Sequence, residues 1–421
     1  LGVGSAAVGG NSAGASIAVM VNQSEVAATL TGDEDKNHTI TADGITVEAK
    51  NAYNGAADKD DSKAKTFAVG FAGGTSQFAG SGSVTVNVID QKADATIGKG
   101  SYDAGGKDVN VHAANSAQLF GLAGGVSVSA GSGLGAAVDV QTYKGHTYAG
   151  LADGVSLTKA SAVQVNADSA EHMTSIAATL AGGAGSFAGA GAAGAHSIST
   201  DTKAYIGNQA DVEGTGAISV TANDETILTT AAGSGGAAGT VGVGLTAAVE
   251  VVDKKVEASV GDGATVKGDA LTVQAENTSE SVTEAVGLGA GGTVGLAGAA
   301  SETFVTHKTD AHVGKSAQVS VAKGAEILAD SKFTQGAAAG SGGAAGTVGV
   351  GISNATVSMN AMTKAYADDD ASISGGKKVK IAADHTSHLT YATIAGGVGG
   401  TVGVSGSVGV NVLTTETKAY A

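Results

Sequence analysis

Apolar and polar positions alternate along most of this chain with a period of two. Val241, Val243, Leu245, Ala247, Val249 and Val251 fall on one parity, while Gly242, Gly244, Thr246, Ala248 and Glu250 fall on the other. Alternation of that kind is the signature of a β-strand, whose successive side chains point to opposite faces. The alternation predicts the Val/Leu set as the core face. The other face is unusual, because a solvated strand face ordinarily carries Lys, Glu or Thr rather than Gly, Ala and Ser. Something is expected to approach it closely. Helix is disfavoured despite the alanines, since glycine costs about 1 kcal/mol per residue in a helix interior and here occupies nearly every second position. A membrane-spanning helix fails for the same reason. A transmembrane β-barrel would show aromatic girdles, and the chain holds only 8 Tyr, 7 Phe and no Trp.

The strands recur. The string AAGSGGAAGTVGVG stands at Ala231–Gly244 and again, letter for letter, at Ala338–Gly351. A second motif, KAYIG at Lys203–Gly207, returns in looser form ending at Gly98, Gly150, Gly261, Gly314 and Asp368, in steps of 52 to 57 residues. A third, in which two aliphatic residues alternate before an alanine, appears at Val109/Val111/Ala113, Val163/Val165/Ala167, Ile218/Val220/Ala222, Leu271/Val273/Ala275 and Val379/Ile381/Ala383. A fourth column of small polar residues reads Gln77, Ser129, Ser186, Thr240, Thr293, Thr347 and Thr401. Four columns on one beat mark a repeat architecture, with a period of about 54 residues and about seven and a half units. The duplicated string then sits two units apart.

Each unit divides by charge. Thr174–Ser199, Gln335–Met362 and Leu389–Thr414 contain no Asp, Glu or Lys, whereas the stretches between them hold nearly all the charge. The expected fold is all-β: a repetitive β-solenoid, or β-helix, running through 1–421 as one continuous array, with equivalent strands stacked in register. No sub-pattern repeats at half the period, which predicts one wide turn per unit, pairs such as Thr293/Thr347 and Val220/Val273 as neighbours, and a rise of about 4.8 Å per turn. The Thr column is expected to form a hydroxyl ladder. Gly-Gly pairs such as Gly235-Gly236, Gly291-Gly292 and Gly399-Gly400 are expected at corners with positive φ. The Gly face is expected to lie close against a partner, either a neighbouring chain or, favoured because one chain can bury the face without depending on concentration, the opposite wall of the same flattened solenoid. The interval from Ala49 to Gln77 carries about ten extra residues, including Asp58–Lys63, expected as an exposed loop.

Composition strengthens this picture. Glycine is 68 of 421 residues and proline, cysteine and tryptophan are absent. A chain without proline keeps every backbone N–H for ladders, and one without cysteine is held by hydrogen bonds and packing alone. The formal charge is −16 and no arginine occurs, which argues against nucleic acid or an anionic membrane as partner. The chain opens at Leu1 without a signal-like segment and ends at TKAYA, part-way through a motif, so a piece of a longer protein is expected.

Chemistry is sparse. The acidic runs Asp33-Glu34-Asp35, Asp58-Lys59-Asp60-Asp61 and Asp368-Asp369-Asp370 read as solvated turns, since the glycine- and aspartate-bearing nonapeptide of calcium-binding β-rolls is missing. His385 and His388 are three apart, on opposite faces of a strand, and so are poorly placed to share a metal. The GTVGVG string lacks the lysine of a phosphate-binding loop. No nucleophile can be given a base and an acid. The acids are dispersed, which disfavours a polysaccharide-cutting solenoid enzyme. The expectation is therefore no catalytic residue, no cofactor-binding residue, no metal site, and no enzyme.

The strings AGGxxGTVGVGxxxxV, then TKAYIG, then VxVxA resemble the repeat regions of giant bacterial surface adhesins, of the leukotoxin-like and filamentous-haemagglutinin-like kinds exported by autotransporter or two-partner routes. The resemblance covers essentially the whole chain and carries no catalytic residue. It implies an extracellular β-helical stalk or fibre, adhesive or structural, at the bacterial surface, anchored at the outer membrane or shed. It also implies ligands bound by regions outside this chain. The alternative reading is a subunit of a self-assembling extracellular filament, associating through this region itself.

Overall fold

A computed structural model describes residues 1–32, 39–53 and 64–421. Among the described residues every regular element is a strand, and the twenty strands form a single sheet of parallel pairings. The first strand, β1 (Gly2–Leu30), is followed by the short β2 (Thr39–Thr41), β3 (Ile45–Tyr53) and the long β4 (Ala64–Ile97). From there each turn of the solenoid has three sides. A first wall is built by β6 (Val109–Ser129), β9 (Val163–Gly183), β12 (Ala217–Ala238), β14 (Thr265–Gly291), β16 (Gln318–Ala345) and β19 (Val379–Gly399). A second wall continues β4 through β7 (Ser132–Leu151), β10 (Phe187–Ile206), β13 (Val241–Val260), β15 (Val294–Val313), β17 (Val348–Ala367) and β20 (Val402–Tyr420). A narrow third side is made by β5 (Ser101–Asp103), β8 (Ser156–Ala160), β11 (Asp211–Gly214), the leading residues of β14 and β16, and β18 (Ser372–Gly375).

The register shows one turn per repeat. Val220 pairs with Val273, and Gly242 with Gly295, which in turn pairs with Gly349, followed by Gly403. These are direct ladder partners, so successive turns are one strand spacing apart, about 4.8 Å. The Thr column stacks, as a backbone ladder and not the expected ladder of hydroxyls. Thr293 N–H donates to Thr240 O (2.9 Å) and Thr401 N–H to Thr347 O (3.1 Å), so the backbone joins the column while the side chains face solvent.

The interior tapers, and residue size sets the taper. At the wide end three sides enclose aliphatic side chains such as Val212, Ile218, Val220, Val256, Val260 and Val266. Further in, two walls meet over a lane of large apolar residues including Tyr143, Ile198, Leu228, Val252, Val305 and Phe333. Then comes a lane of alanine alone, with Ala177, Ala232 and Ala285 on one wall and Ala192, Ala248 and Ala299 on the other. Last comes glycine. A Cβ placed on Gly244 would collide with the backbone carbonyl of Leu288, one on Gly242 with that of Ala290, and one on Gly349 with that of Val398. Sheets ordinarily pack about 10 Å apart; here the walls close until backbone meets backbone.

Two sequence-based expectations are overturned. The Val/Leu parity faces outward in this half of the turn: Leu245 is 55% exposed and Val251 42%, while Gly242, Gly244, Thr246 and Glu250 are buried. The reason is wall separation, since only the small parity fits between walls this close. The Gly-Gly pairs are not positive-φ corners either. Gly235 and Gly236 lie within β12, and the chain doubles back at Gly239 and Thr240. At Gly292 and Gly400 a Cβ would run into the carbonyl of the corner residue one turn earlier, Gly239 and Gly346 respectively, so contact rather than dihedral demands glycine there. The left-handed column sits at the other end of the second wall, at Gly154, Gln209, Gly263, Ser316 and Asp370.

Candidate functional site

Flattening leaves the molecule with two places where chemistry could reside: a sealed polar interior and a bare outer surface. The interior arises because the inward parity of both walls carries polar residues on either side of the large apolar lane. Between that lane and the alanines, Asp139 accepts hydrogen bonds from Thr85 and from Gln141 Nε2, the latter at 3.0 Å. Burial pushes its carboxyl above the usual range, against the hydrogen bonds it accepts from Thr85 and Gln141. Two turns on, Thr230 Oγ1 donates to Glu250 Oε1 (2.7 Å) and lies 2.8 Å from His196 Nδ1. A hydroxyl has one proton, so Thr230 accepts from His196 Nδ1–H, which fixes that tautomer. Ser281 donates to the other Glu250 oxygen.

A second polar lane lies between the large apolar residues and the wide-end core. Asn51, Asn115, Ser169, Asp224, Asn277 and Ser331 stack there as one inward column of the first wall. Lys254 reaches across from β13. Its Nζ lies 2.7 Å from Asp224 Oδ1, 3.1 Å from Asp224 O and 3.0 Å from Thr278 O, and both side chains are fully buried. Thr202 Oγ1 donates to Asp224 Oδ2 at 3.0 Å. Glu171 accepts from Ser169 (2.6 Å) and Thr226 (2.9 Å). Burial, with the charge of Asp224 beside it, pushes the Glu171 carboxyl up to about 8, against the opposing pull of Lys254. His307, one turn beyond Lys254, lies 3.1 Å from Ser279 and packs edge-on to Phe333; burial and the nearby Lys254 charge hold it well below the ordinary histidine range.

The sequence reading missed this constellation. Asp224, Lys254 and Glu171 are 30 to 83 residues apart, and only register and inward parity unite them. The signal that could have found them is a charged residue on the parity that elsewhere holds glycine and alanine.

The outer surface of the glycine-rich half is largely apolar on both walls, broken by Glu284 on the first and Glu302 on the second. On the first wall Leu122 and Val126, Leu180, Val286 and Leu288, and Ile394 and Val398 stand as ridges, with Gly233 and Gly235 and then Gly340 and Gly342 as troughs between them. Two grooves of about 520 and 530 Å³ run across this relief. The duplicated string thus has two uses of glycine, outward troughs at Gly233 and Gly235 and inward contacts at Gly236, Gly242 and Gly244. The charged part of the second wall carries ladders instead: Lys203 bridges Glu257 at 2.8 Å, and His312, Tyr366 and Tyr420 stack with centroids 5.0 and 5.1 Å apart.

Of the residues singled out in the sequence, Asp368, Asp369 and Asp370 form an exposed turn, while Asp33-Glu34-Asp35 and the insertion Asp58–Lys63 lie outside the described residues. His385 is half-buried in line with Ser331, and His388 is exposed. Among the described residues no three His, Cys, Asp or Glu side chains converge as a metal-binding group, and no helix is long and apolar enough to cross a membrane. No protein-family model, no curated protein and no solved structure matches this chain.

Proposed function

We propose that this chain is a structural length of an extracellular fibre or stalk on a bacterial surface, adhesive through regions other than this one and without turnover of its own. The observation that carries the reading is the ladder itself. Every turn repeats one register from β1 to β20, so added repeats add length and nothing else. The buried ionisable groups lie inside the turn, between the walls, and the relief that faces solvent is largely apolar or laddered. Purified protein should appear as rods one chain wide whose length scales with the number of repeats. It should release no sugar from a panel of polysaccharides, and release abolished by changing a single Asp or Glu would overturn the reading.

A second reading, lateral assembly, has its own support in the exposed apolar relief. The apolar stretch of the first wall, bounded on β14 by the exposed Glu284, measures about 20 Å along the strands by about 30 Å along the axis. That is on the order of 600 Å², against the roughly 800 Å² per partner of a standard stable interface, so a lateral contact would extend past that glutamate. Ridges and troughs that alternate along the axis also suit a second copy of the same surface. In sedimentation, Leu180→Lys with Leu288→Lys should convert an associating species into a monomer; a wild-type chain that stays monomeric at high concentration disposes of this alternative.

A further inference from the structure

We propose that Lys254 and Asp224 condense to an intramolecular amide that ties the second wall to the first across one turn of the solenoid. The inference does not rest on the surface reading above, and it assigns a use to buried groups which that reading leaves idle.

The geometry supplies the reactants. Lys254 Nζ is 2.7 Å from Asp224 Oδ1, and both side chains are completely buried. The amine is held from behind by Thr278 O at 3.0 Å, and the acid by the Thr202 hydroxyl at 3.0 Å. Two groups fixed in contact react as a unimolecular pair, which removes most of the entropic barrier to a bimolecular condensation. The surroundings supply the driving force. A buried ion pair keeps a desolvation cost that its mutual attraction repays incompletely, whereas an amide is neutral and its product water leaves for solvent. The amide's needs are already met here: its N–H can donate to Thr278 O, and its carbonyl can accept from Thr202.

The step balances without any oxidant or co-reactant. A proton passes from the Lys254 ammonium to the Asp224 carboxylate, giving an amine and an acid. The Nζ lone pair then adds to Asp224 Cγ, the C–OH bond breaks, and the hydroxyl leaves as water after taking a proton. The nitrogen loses one proton in exchange. Overall, an ammonium and a carboxylate become an amide and one water.

A proton carrier is needed in a lane closed to solvent. Glu171 sits one turn away, paired with Thr226, two residues from Asp224 on the same inward face. It is fully buried, and its carboxyl keeps its proton well into the neutral range for the reasons given above. It faces the same closed lane one turn from Asp224, hydrogen-bonded to Ser169 and Thr226, and is assigned the loan of a proton to the leaving hydroxyl and its recovery from the nitrogen.

The test is the intact mass of the full, purified chain under denaturing conditions. The expected mass is one water below that of the sequence, with a digest yielding a branched peptide joining positions 224 and 254. Asp224→Ala and Lys254→Met should each restore the full sequence mass, and Glu171→Gln should leave a substantial unlinked fraction. Wild-type protein at its full sequence mass would show an ordinary buried ion pair only and overturn the proposal, as would an Asp224→Ala chain that is still one water light. Complete linkage in Glu171→Gln would remove Glu171 from the step. Because the decisive reading is made on the wild-type chain, a variant that fails to fold does not spare the idea.

Discussion

The buried His307 makes the interior sensitive to acid. His307 is held neutral chiefly by burial, to which Lys254 adds while its side chain is unlinked and charged, whereas in the unfolded chain it titrates near 6.5. Below that value the unfolded state binds a proton that the folded state refuses, so stability falls with acid, by up to about 1.4 kcal/mol per pH unit for one group. Glu171 works in the other direction. Its folded value is raised to about 8, so its contribution is complete below the unfolded carboxylate value and is lost as pH rises from about 4.5 through 8. The two slopes oppose each other between about 4.5 and 6.5, and only that of Glu171 remains above. Replacing His307 with Asn should leave the Glu171 slope unopposed, so that the melting temperature rises as pH falls from 6.5 to 5, and leave the limb between 7 and 8 as it is. An unchanged acid limb would show that His307 takes up its proton in the folded state.

At the scale of strands, the duplicated glycine string is a spacing device. Gly242, Gly295, Gly349 and Gly403 stack as one inward column against the backbone of the first wall. Changing all four to Leu should prevent folding or drive the walls apart, because overpacking costs about 1–3 kcal/mol at each site and recurs at each level. A quadruple variant with native melting and native circular dichroism would show that the column has no packing role. The period, strand content, one-turn winding and close wall approach were all legible in sequence, because stacking writes its repeat directly into letter spacing. Which parity faces inward was not. Parity is decided by the distance between walls, and the ordinary rule that Val and Leu mark the core assumes a spacing that Gly244 and Gly289 abolish. The Lys254, Asp224 and Glu171 cluster was hidden for a related reason, since acids read as dispersed along the chain are brought together only by register.

Across the whole molecule, every ladder bond joins residues roughly one turn apart in sequence, as Val220 to Val273 and Gly295 to Gly349. Each turn contacts its neighbours and little else, so stability is the sum of turn and interface contributions along one dimension. Among the described residues β1 and β20 each have one ladder partner, β4 and β17. Hydrogen exchange should therefore grade along the axis, with amides of β12 and β13 slowest and those of β1 and β20 fastest. Uniform protection from end to end would mean that the array opens all at once.

That one-dimensional contact pattern also governs how such a chain acquires its structure. No turn can close until about fifty residues of slack have been gathered, a loss of chain entropy that grows only slowly with loop length but is met by no bond until the ring is complete. Two rings must meet before either has a surface to rest on. After that, each new ring is laid on a finished template. Folding then resembles crystal growth from a seed: a slow first event, a steady advance at the open face, and dissolution confined to the same face. A molecule made this way is hard to start and hard to unravel, and its persistence rests on how rarely an end comes loose more than on the strength of any one bond.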